Sequence, residues 1–233
     1  MARRIYLAQT LSAGGIELDS RQAHHVRDVL RLKTGDTVEV FDDAGHSASA
    51  TIETCDANRV CVQVKQVQEV SESRQIIVAS AVPKGNRADW MIEKLSELGV
   101  SRFIPLETSR SVVLPAGKGK YDRWRRIATE SAKQSRRSGV MQIDELISLD
   151  KLLASSEVKG VYLSTEPDAR SISSFIPHPS SFLLIGPEGG WTDGETSLMK
   201  SSGLTAAKLT GTILRVETAA VLAAGIVLSA PNK

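Results

Sequence analysis

The feature that most constrains this chain is a change of hydrophobic pattern near residue 74. Downstream of it, apolar runs of strand length alternate with segments of helical spacing. Ile76 to Val82 reads as a buried strand. Ala88, Met91, Ile92, Leu95 and Leu98 then keep the spacing of one helix face, with Asn86 predicted as the cap and Gly99 as the stop. Arg102–Leu106, Gly160–Thr165, Phe182–Ile185 and Leu204–Leu209 read as further strands. Between and after them come predicted helices at about Tyr121–Arg137, from the capping box Thr192-Asp193-Gly194-Glu195 towards Ser202, and at Glu217–Leu228. Such alternation demands crossover connections. It predicts an α/β unit with a parallel sheet covered on both faces.

Upstream, the period is two. Thr37–Phe41, Ala48–Thr54 and Val60, Val62, Val64 and Val67 alternate as strands, separated by turns at Asp42–Gly45 and Asp56–Asn58. A short helix at about Ser20–Leu30 precedes them. Short strands at close spacing predict a small β-barrel or sandwich. The polar stretch Glu69–Ser73 reads as the linker, giving two domains, 1–73 and 74–233. That division suits 233 residues, at roughly 100–200 residues per domain.

Charge separates the same regions. The formal net charge is only +2, and 41% of residues are hydrophobic, which excludes an acidic disordered chain and a cationic nucleic-acid coat. Yet residues 76–140 hold 13 Lys and Arg against 6 Asp and Glu, while both flanks are slightly acidic. The excess concentrates in one predicted helix. Trp124, Ile127, Ala128, Ser131 and Ser135 form its apolar face, and Arg123, Arg126, Lys133 and Arg137 lie opposite with Glu130. Lys118, Lys120, Arg125 and Arg136 add to that density. A cationic face of this kind neutralises phosphates and gains from counterion release; a merely solvated helix face is the alternative.

Two strand-to-helix junctions can hold a ligand. Leu184-Ile185-Gly186-Pro187-Glu188-Gly189-Gly190-Trp191 follows an apolar strand and precedes the capping box. In open α/β sheets, ligands bind at the carboxyl ends of strands, and glycine there lets backbone approach closely. The segment is neither a P-loop nor a dinucleotide fingerprint. The second junction is Leu209-Thr210-Gly211-Thr212-Ile213-Leu214-Arg215-Val216-Glu217-Thr218-Ala219. A carboxylate at a helix start suits the helix dipole, whereas an arginine does not, which marks Arg215. Cys55 and Cys61 have no CxxC and no metal-ligand spacing, so no metal site and a reducing, cytoplasmic location are expected. Gln9, Thr10 and Ser12 break the apolar run after the basic start, so no signal peptide is expected. Ala219–Leu228 is too short to span a membrane, since a span needs about 20 apolar residues.

Taken together, these motifs resemble the RsmE family of 16S ribosomal RNA methyltransferases in the SPOUT superfamily. The resemblance runs almost end to end. It is carried by Arg4-Ile5-Tyr6, His24 to Arg31, Val40-Phe41-Asp42, Lys84, Glu93 to Val100, Pro105-Leu106 and Ser109-Arg110-Ser111. It continues through Arg123 to Ile127, Glu130 to Arg137, Ile185 to Gly190 and Ile213 to Ala219. The chain departs from the family at Leu209-Thr210-Gly211-Thr212, where Leu-Gly-Pro-Arg is usual, and lacks the usual proline in Gly139 to Ile143.

The resemblance implies a PUA-like RNA-binding barrel over 1–73 and a SPOUT domain with a C-terminal trefoil knot over 74–233. It implies a cytoplasmic homodimer that uses S-adenosylmethionine to methylate N3 of one specific uridine in 16S ribosomal RNA of the small subunit. Leu163, Ser164, Glu166, Ile185, Gly186, Pro187, Glu188, Gly189, Gly190, Leu209, Ile213 and Leu214 are the expected cofactor contacts. Arg215 is the expected catalytic cation, with Glu217 beside it to accept or relay the proton and Glu188 as the other carboxylate available. Expected RNA contacts are Arg3, Arg4, Arg27, Arg31, Lys84, Arg110, Arg123, Arg126, Lys133, Arg136 and Arg137. A non-catalytic ribosome-assembly factor using the same basic surface, and a SPOUT ribose 2′-O-methyltransferase, are the competing classes at this stage.

Overall fold

The computed structural model describes residues 3–57, 59–69, 75–115, 117–137, 139–155, 158–175 and 180–230. Most of the expected linker, from Val70 to Ser73, lies outside the described residues, as does the expected boundary between 73 and 74. The chain divides into two compact units. One comprises Met1–Glu72 with Ala132–Val140, the other Ser73–Ser131 with Met141–Lys233.

The first unit is built on β1 (Arg4–Tyr6), β2 (Gly14–Glu17), β3 (Thr37–Phe41), β4 (His46–Cys55), β5 (Val60–Val64) and β6 (Gln68–Glu69). The sheet order is β1-β3-β4-β5-β2, with β6 on β4. Only β1–β3 is parallel, and the other pairs are antiparallel. Alternation does its expected work in β5, where Val60, Val62 and Val64 are buried while Cys61 and Gln63 are half-buried. Those valines join Ile5, Val38, Val40, Ile52 and Val26 in one apolar core. Cys55 and Cys61 lie on the paired strands β4 and β5, both half-buried and unbridged. The expected helix is α1 (Ser20–His24), capped by Asp19, and it runs on as a π-helical turn at His25–Val29.

The second unit follows the expected alternation. Its elements are β7 (Gln75–Ser80), α2 (Asn86–Leu98), β8 (Arg102–Glu107), α3 (Lys118–Ser135), β9 (Gln142–Ile143), β10 (Ile147–Ser148) and α4 (Leu149–Ser155). Then come β11 (Gly160–Leu163), β12 (Arg170–Ser171), β13 (Ser180–Ile185), α5 (Asp193–Ser201), β14 (Thr205–Lys208) and α6 (Val216–Ser229). The strand order is β10-β8-β7-β13-β11-β14-β12, with β9 on β8, and every pair is parallel. The central strand β13 is buried from Ser181 to Ile185, as a parallel strand covered on both faces must be. Helices α2 and α6 pack together. α6 buries Ala220, Ala223, Ala224 and Val227, and its small residues allow a close approach.

Two expectations need correction. Asn86 is the first helical residue and not the cap. Gly85 occupies that position at φ 66°, a backbone conformation that glycine alone adopts easily. Helix α3 starts three residues earlier than expected and ends at Ser135, so Arg136 and Arg137 lie past its end, with Arg136 at φ 59°. Its expected apolar face is confirmed by the burial of Trp124, Ala128 and Ser131.

Candidate functional site

Three neighbouring parallel strands, β13, β11 and β14, end on the same side of the sheet. Their carboxyl ends, Ile185, Leu163 and Lys208, open into a cavity of about 420 Å³. All twelve residues expected to contact a cofactor line it, from Leu163, Ser164 and Glu166, through Ile185 to Gly190, to Leu209, Ile213 and Leu214. Carboxyl strand ends collect loops and leave backbone groups free to meet a ligand, so this is where an α/β sheet binds. The size falls in the usual range for small-molecule sites, about 300–1,000 Å³.

One wall is the segment after β13. Gly186 leaves the strand directly beneath Trp191; a Cβ at Gly186 would sit 2.9 Å from the indole. Trp191 is held there because its Nε1 donates to the Leu163 carbonyl at 2.8 Å, which ties this loop to the end of β11. Gly190 turns the chain at φ 68°, and its amide donates to the Pro187 carbonyl at 2.9 Å. The capping box predicted from Thr192 and Glu195 is present in full. Glu195 is buried and accepts from the amides of Thr192 and Ser109, each at 2.8 Å. Burial pushes its carboxyl up, and those donors more than reverse the effect, so it titrates below the ordinary glutamate range.

The opposite wall is Leu209–Leu214. Its turn is closed by hydroxyls, with Thr210 Oγ1 donating to the Thr212 carbonyl at 2.8 Å. Ile213 is 85% exposed on this wall. Arg215 follows as the N-cap of α6, exposed and making no side-chain cap bond. Glu217, in the first turn, is buried; its Oε1 lies 3.6 Å from Arg87 Nη1, and its Oε2 has no hydrogen-bond partner. Neither Arg215 nor Glu217 lines the cavity. Both stand on the helix whose Val216 and Ala219 do.

The lining carries Arg110 and Lys208 against Glu166, Glu188 and Asp193. Such a mixture suits a zwitterionic, cationic ligand better than a polyphosphate. Trp191, Lys208 and Asp193 also line the cavity but were not among the expected contacts. The rule that ligands meet the carboxyl ends of strands points at Lys208, and Trp191 closes the quoted glycine segment.

The expected RNA contacts scatter. Arg3 is exposed and paired with Asp36 at 3.4 Å. Arg4 does not reach the surface. Its guanidinium is buried over the Phe41 ring at 4.2 Å and pairs with Glu39 at 3.2 Å. Arg27 is tied to Asp28 and to the carbonyls of Asp56 and Ala57. Arg31, Lys84, Arg126 and Arg136 are exposed, while Lys133 and Arg137 are half-buried. Arg123 pairs with Asp89 at 2.8 Å, and Asp89 also accepts from Lys120 and from Trp124 Nε1. Arg110 is not on the basic helix at all; it belongs to the cavity. Among the described residues, no group of His, Cys, Asp and Glu is arranged to hold a metal ion, and no helix is long and apolar enough to cross a membrane.

The chain matches the RNA methyltransferase domain family over residues 70–228 and the RNA methyltransferase PUA domain family over residues 18–65. Ribosomal RNA small subunit methyltransferase E of Bacillus subtilis (strain 168) is 32% identical over 231 residues, spanning 92% of this chain and 90% of the relative. The protein of the same name from Synechocystis is 31% identical, spanning 96% and 76%. Among solved structures, ribosomal RNA small subunit methyltransferase E from Neisseria gonorrhoeae, bound to S-adenosylmethionine, superposes with a TM-score of 0.84 at 26% identity. It spans 96% of this chain and 95% of that one. A Legionella pneumophila protein solved with the same cofactor gives a TM-score of 0.83 at 28% identity, covering 97% of both chains.

Proposed function

Because the chain belongs to the ribosomal RNA small subunit methyltransferase E family of RNA methyltransferases, we propose that it methylates N3 of one specific uridine in 16S ribosomal RNA. The enzyme is an S-adenosylmethionine-dependent ribosomal RNA methyltransferase. The observation that carries the reading is the convergence of all twelve expected cofactor contacts on one cavity at three parallel strand ends. When bound, S-adenosylmethionine supplies an electrophilic methyl group on a cationic sulfur.

The residues present suit that cofactor. Glu166, Glu188 and Asp193 would offset its cationic groups and Lys208 its carboxylate, and the glycine segment would admit it close to backbone. Methyl transfer is an in-line displacement, so much of the rate comes from holding the two partners in register. Uridine N3 carries a proton at neutral pH, and the anion left by its removal is spread over the ring oxygens. A cation beside them favours that anion. Arg215 is assigned that part: it is exposed at the start of α6, directly after the cavity wall. Glu217 is assigned the proton, for its carboxylate is buried with one oxygen unpartnered. The target base leaves its stack to reach these groups.

The remaining assignments are part of the same proposal. Residues 1–73 form the RNA-binding domain and 74–233 the catalytic one, with a trefoil knot formed by the two segments that wall the cavity. The enzyme works as a cytoplasmic homodimer on the small ribosomal subunit. The exposed arginines Arg31, Arg126 and Arg136, with Lys84, meet phosphates. The test is mass spectrometry of small-subunit ribosomal RNA nucleosides from a strain lacking the protein, with add-back, alongside calorimetry with S-adenosylmethionine. Loss and recovery of N3-methyluridine is the expected result. Loss of a ribose-methylated nucleoside instead would overturn the N3 assignment, and absence of cofactor binding would overturn catalysis.

A further inference from the structure

Arg110 stands on the turn after β8, where the sequence pattern offers it as one more cation for RNA. The geometry points elsewhere. The turn is closed by the Thr108 amide donating to Ser111 Oγ at 3.0 Å and the Ser111 amide donating to the Thr108 carbonyl at 3.1 Å. It is fastened to α5 through the Ser109 amide and Glu195. From that base, Arg110 Nη1 donates to the Gly189 carbonyl at 2.7 Å and to the Trp191 carbonyl at 3.3 Å. Its stem lies along Gly189, where an added Cβ would come 3.3 Å from both Cβ and Cδ of Arg110. A cation that served only phosphate would keep its donors free for solvent. This one commits Nη1 to two carbonyls of the glycine loop.

We propose that Arg110 is a positioning residue for S-adenosylmethionine: it holds Gly189 and Trp191 in the path that walls the cavity. The loop after β8 thereby sets cofactor affinity. This inference rests on the cofactor reading above and goes beyond it. An added side chain at Gly189 would also crowd Arg110, separately from any contact of Gly189 with the cofactor.

The test compares Arg110→Ala, Arg110→Lys, Gly189→Ala and the double variant Arg110→Ala/Gly189→Ala. Cofactor affinity is read by calorimetry and affinity for small-subunit ribosomal RNA by gel shift across a salt series. Arg110→Ala is expected to weaken S-adenosylmethionine about tenfold, equivalent to about 1.4 kcal/mol, with RNA affinity and its salt slope unchanged. Arg110→Lys recovers part of the loss, since its ammonium can still donate to a carbonyl but sits on a shorter stem. The double variant is no worse than the weaker single one, which shows that the two residues act through one contact. Cofactor affinity within twofold of wild type in Arg110→Ala would overturn the proposal. So would a loss of RNA affinity with a shallower salt slope, which returns Arg110 to the phosphate surface. Thermal unfolding identifies a variant that does not fold, in which case Arg110→Lys and Gly189→Ala carry the comparison. Failure of the wild type to bind S-adenosylmethionine sinks the cofactor reading itself; normal wild-type binding with an indifferent Arg110→Ala sinks only this inference.

Discussion

The two walls of the cavity are both strand-to-helix junctions, yet they are built differently. The wall after β13 is tied to two other places, the end of β11 and the turn after β8. Trp191 reaches Leu163, Arg110 reaches Gly189 and Trp191, and Glu195 joins the capping box to Ser109. The wall after β14 is closed by its own threonine hydroxyls, exposes Ile213, and ends in a helix start with no side-chain cap. The contrast teaches a division of labour. A small ligand of fixed shape gains from a preorganised wall. A segment with the proposed task of presenting Arg215 to a large RNA substrate gains from fewer internal ties.

The largest effect is expected from Arg215→Ala. Removing one preformed cation at a developing anion costs about 100- to 1,000-fold in kcat, and affinity for S-adenosylmethionine should stay near wild type. If cofactor affinity falls as far as kcat, the second wall is part of the fixed site and the contrast fails. Gly186→Val comes next. Its Cβ alone would meet the Trp191 ring at 2.9 Å, so the indole must swing away and lose its bond to Leu163. Cofactor affinity should fall by about 10- to 100-fold, with a destabilisation of about 1–3 kcal/mol visible in thermal unfolding.

Glu195→Ala tests the fixed wall from behind. It leaves the amides of Thr192 and Ser109 without their acceptor, for about 1–3 kcal/mol of stability. The native carboxyl titrates below its ordinary value, so its contribution is complete above the ordinary glutamate range of about 4.3. That contribution is lost as pH falls through the depressed native pKa. Thermal unfolding across acid pH should therefore show a steeper decline in wild type than in Glu195→Ala. The smallest effect is expected from Thr210→Val on the freer wall: a stability change within about 0.5 kcal/mol and no more than a twofold change in cofactor affinity. A larger loss would show that the hydroxyl turn is as binding as the bonds opposite.

The residues that organise the site divide the same way in how readily the sequence discloses them. Local chemistry reads well. The Thr192–Glu195 capping box, the apolar face of α2 with its stop at Gly99, and the buried face of α3 follow from spacing within a few positions. Long-range ties do not. Trp191 and Leu163 are separated in sequence by a whole strand and its flanks, and Arg110 is farther still from Gly189; no period announces either bond. The basic residues mislead for the same reason. Arg4 is expected at RNA, but its partner Phe41 becomes a neighbour only on folding and buries the guanidinium. The Asn86 cap expectation failed locally, because the chain leaves β7 through a left-handed backbone that selects Gly85 instead.

Strand order carries one more consequence, which concerns how such a chain is made. β7 pairs with β13 in parallel, Gln75 opposite Ser180, so its partner leaves the ribosome about a hundred residues later, a highly non-local pairing. Until then, Ile76, Ile77, Val78 and Ala79 present an unsealed apolar edge, the kind of surface that recruits foreign strands. The pocket floor cannot exist before that insertion. A nascent chain therefore passes through a long interval in which its parallel sheet is still waiting for its middle.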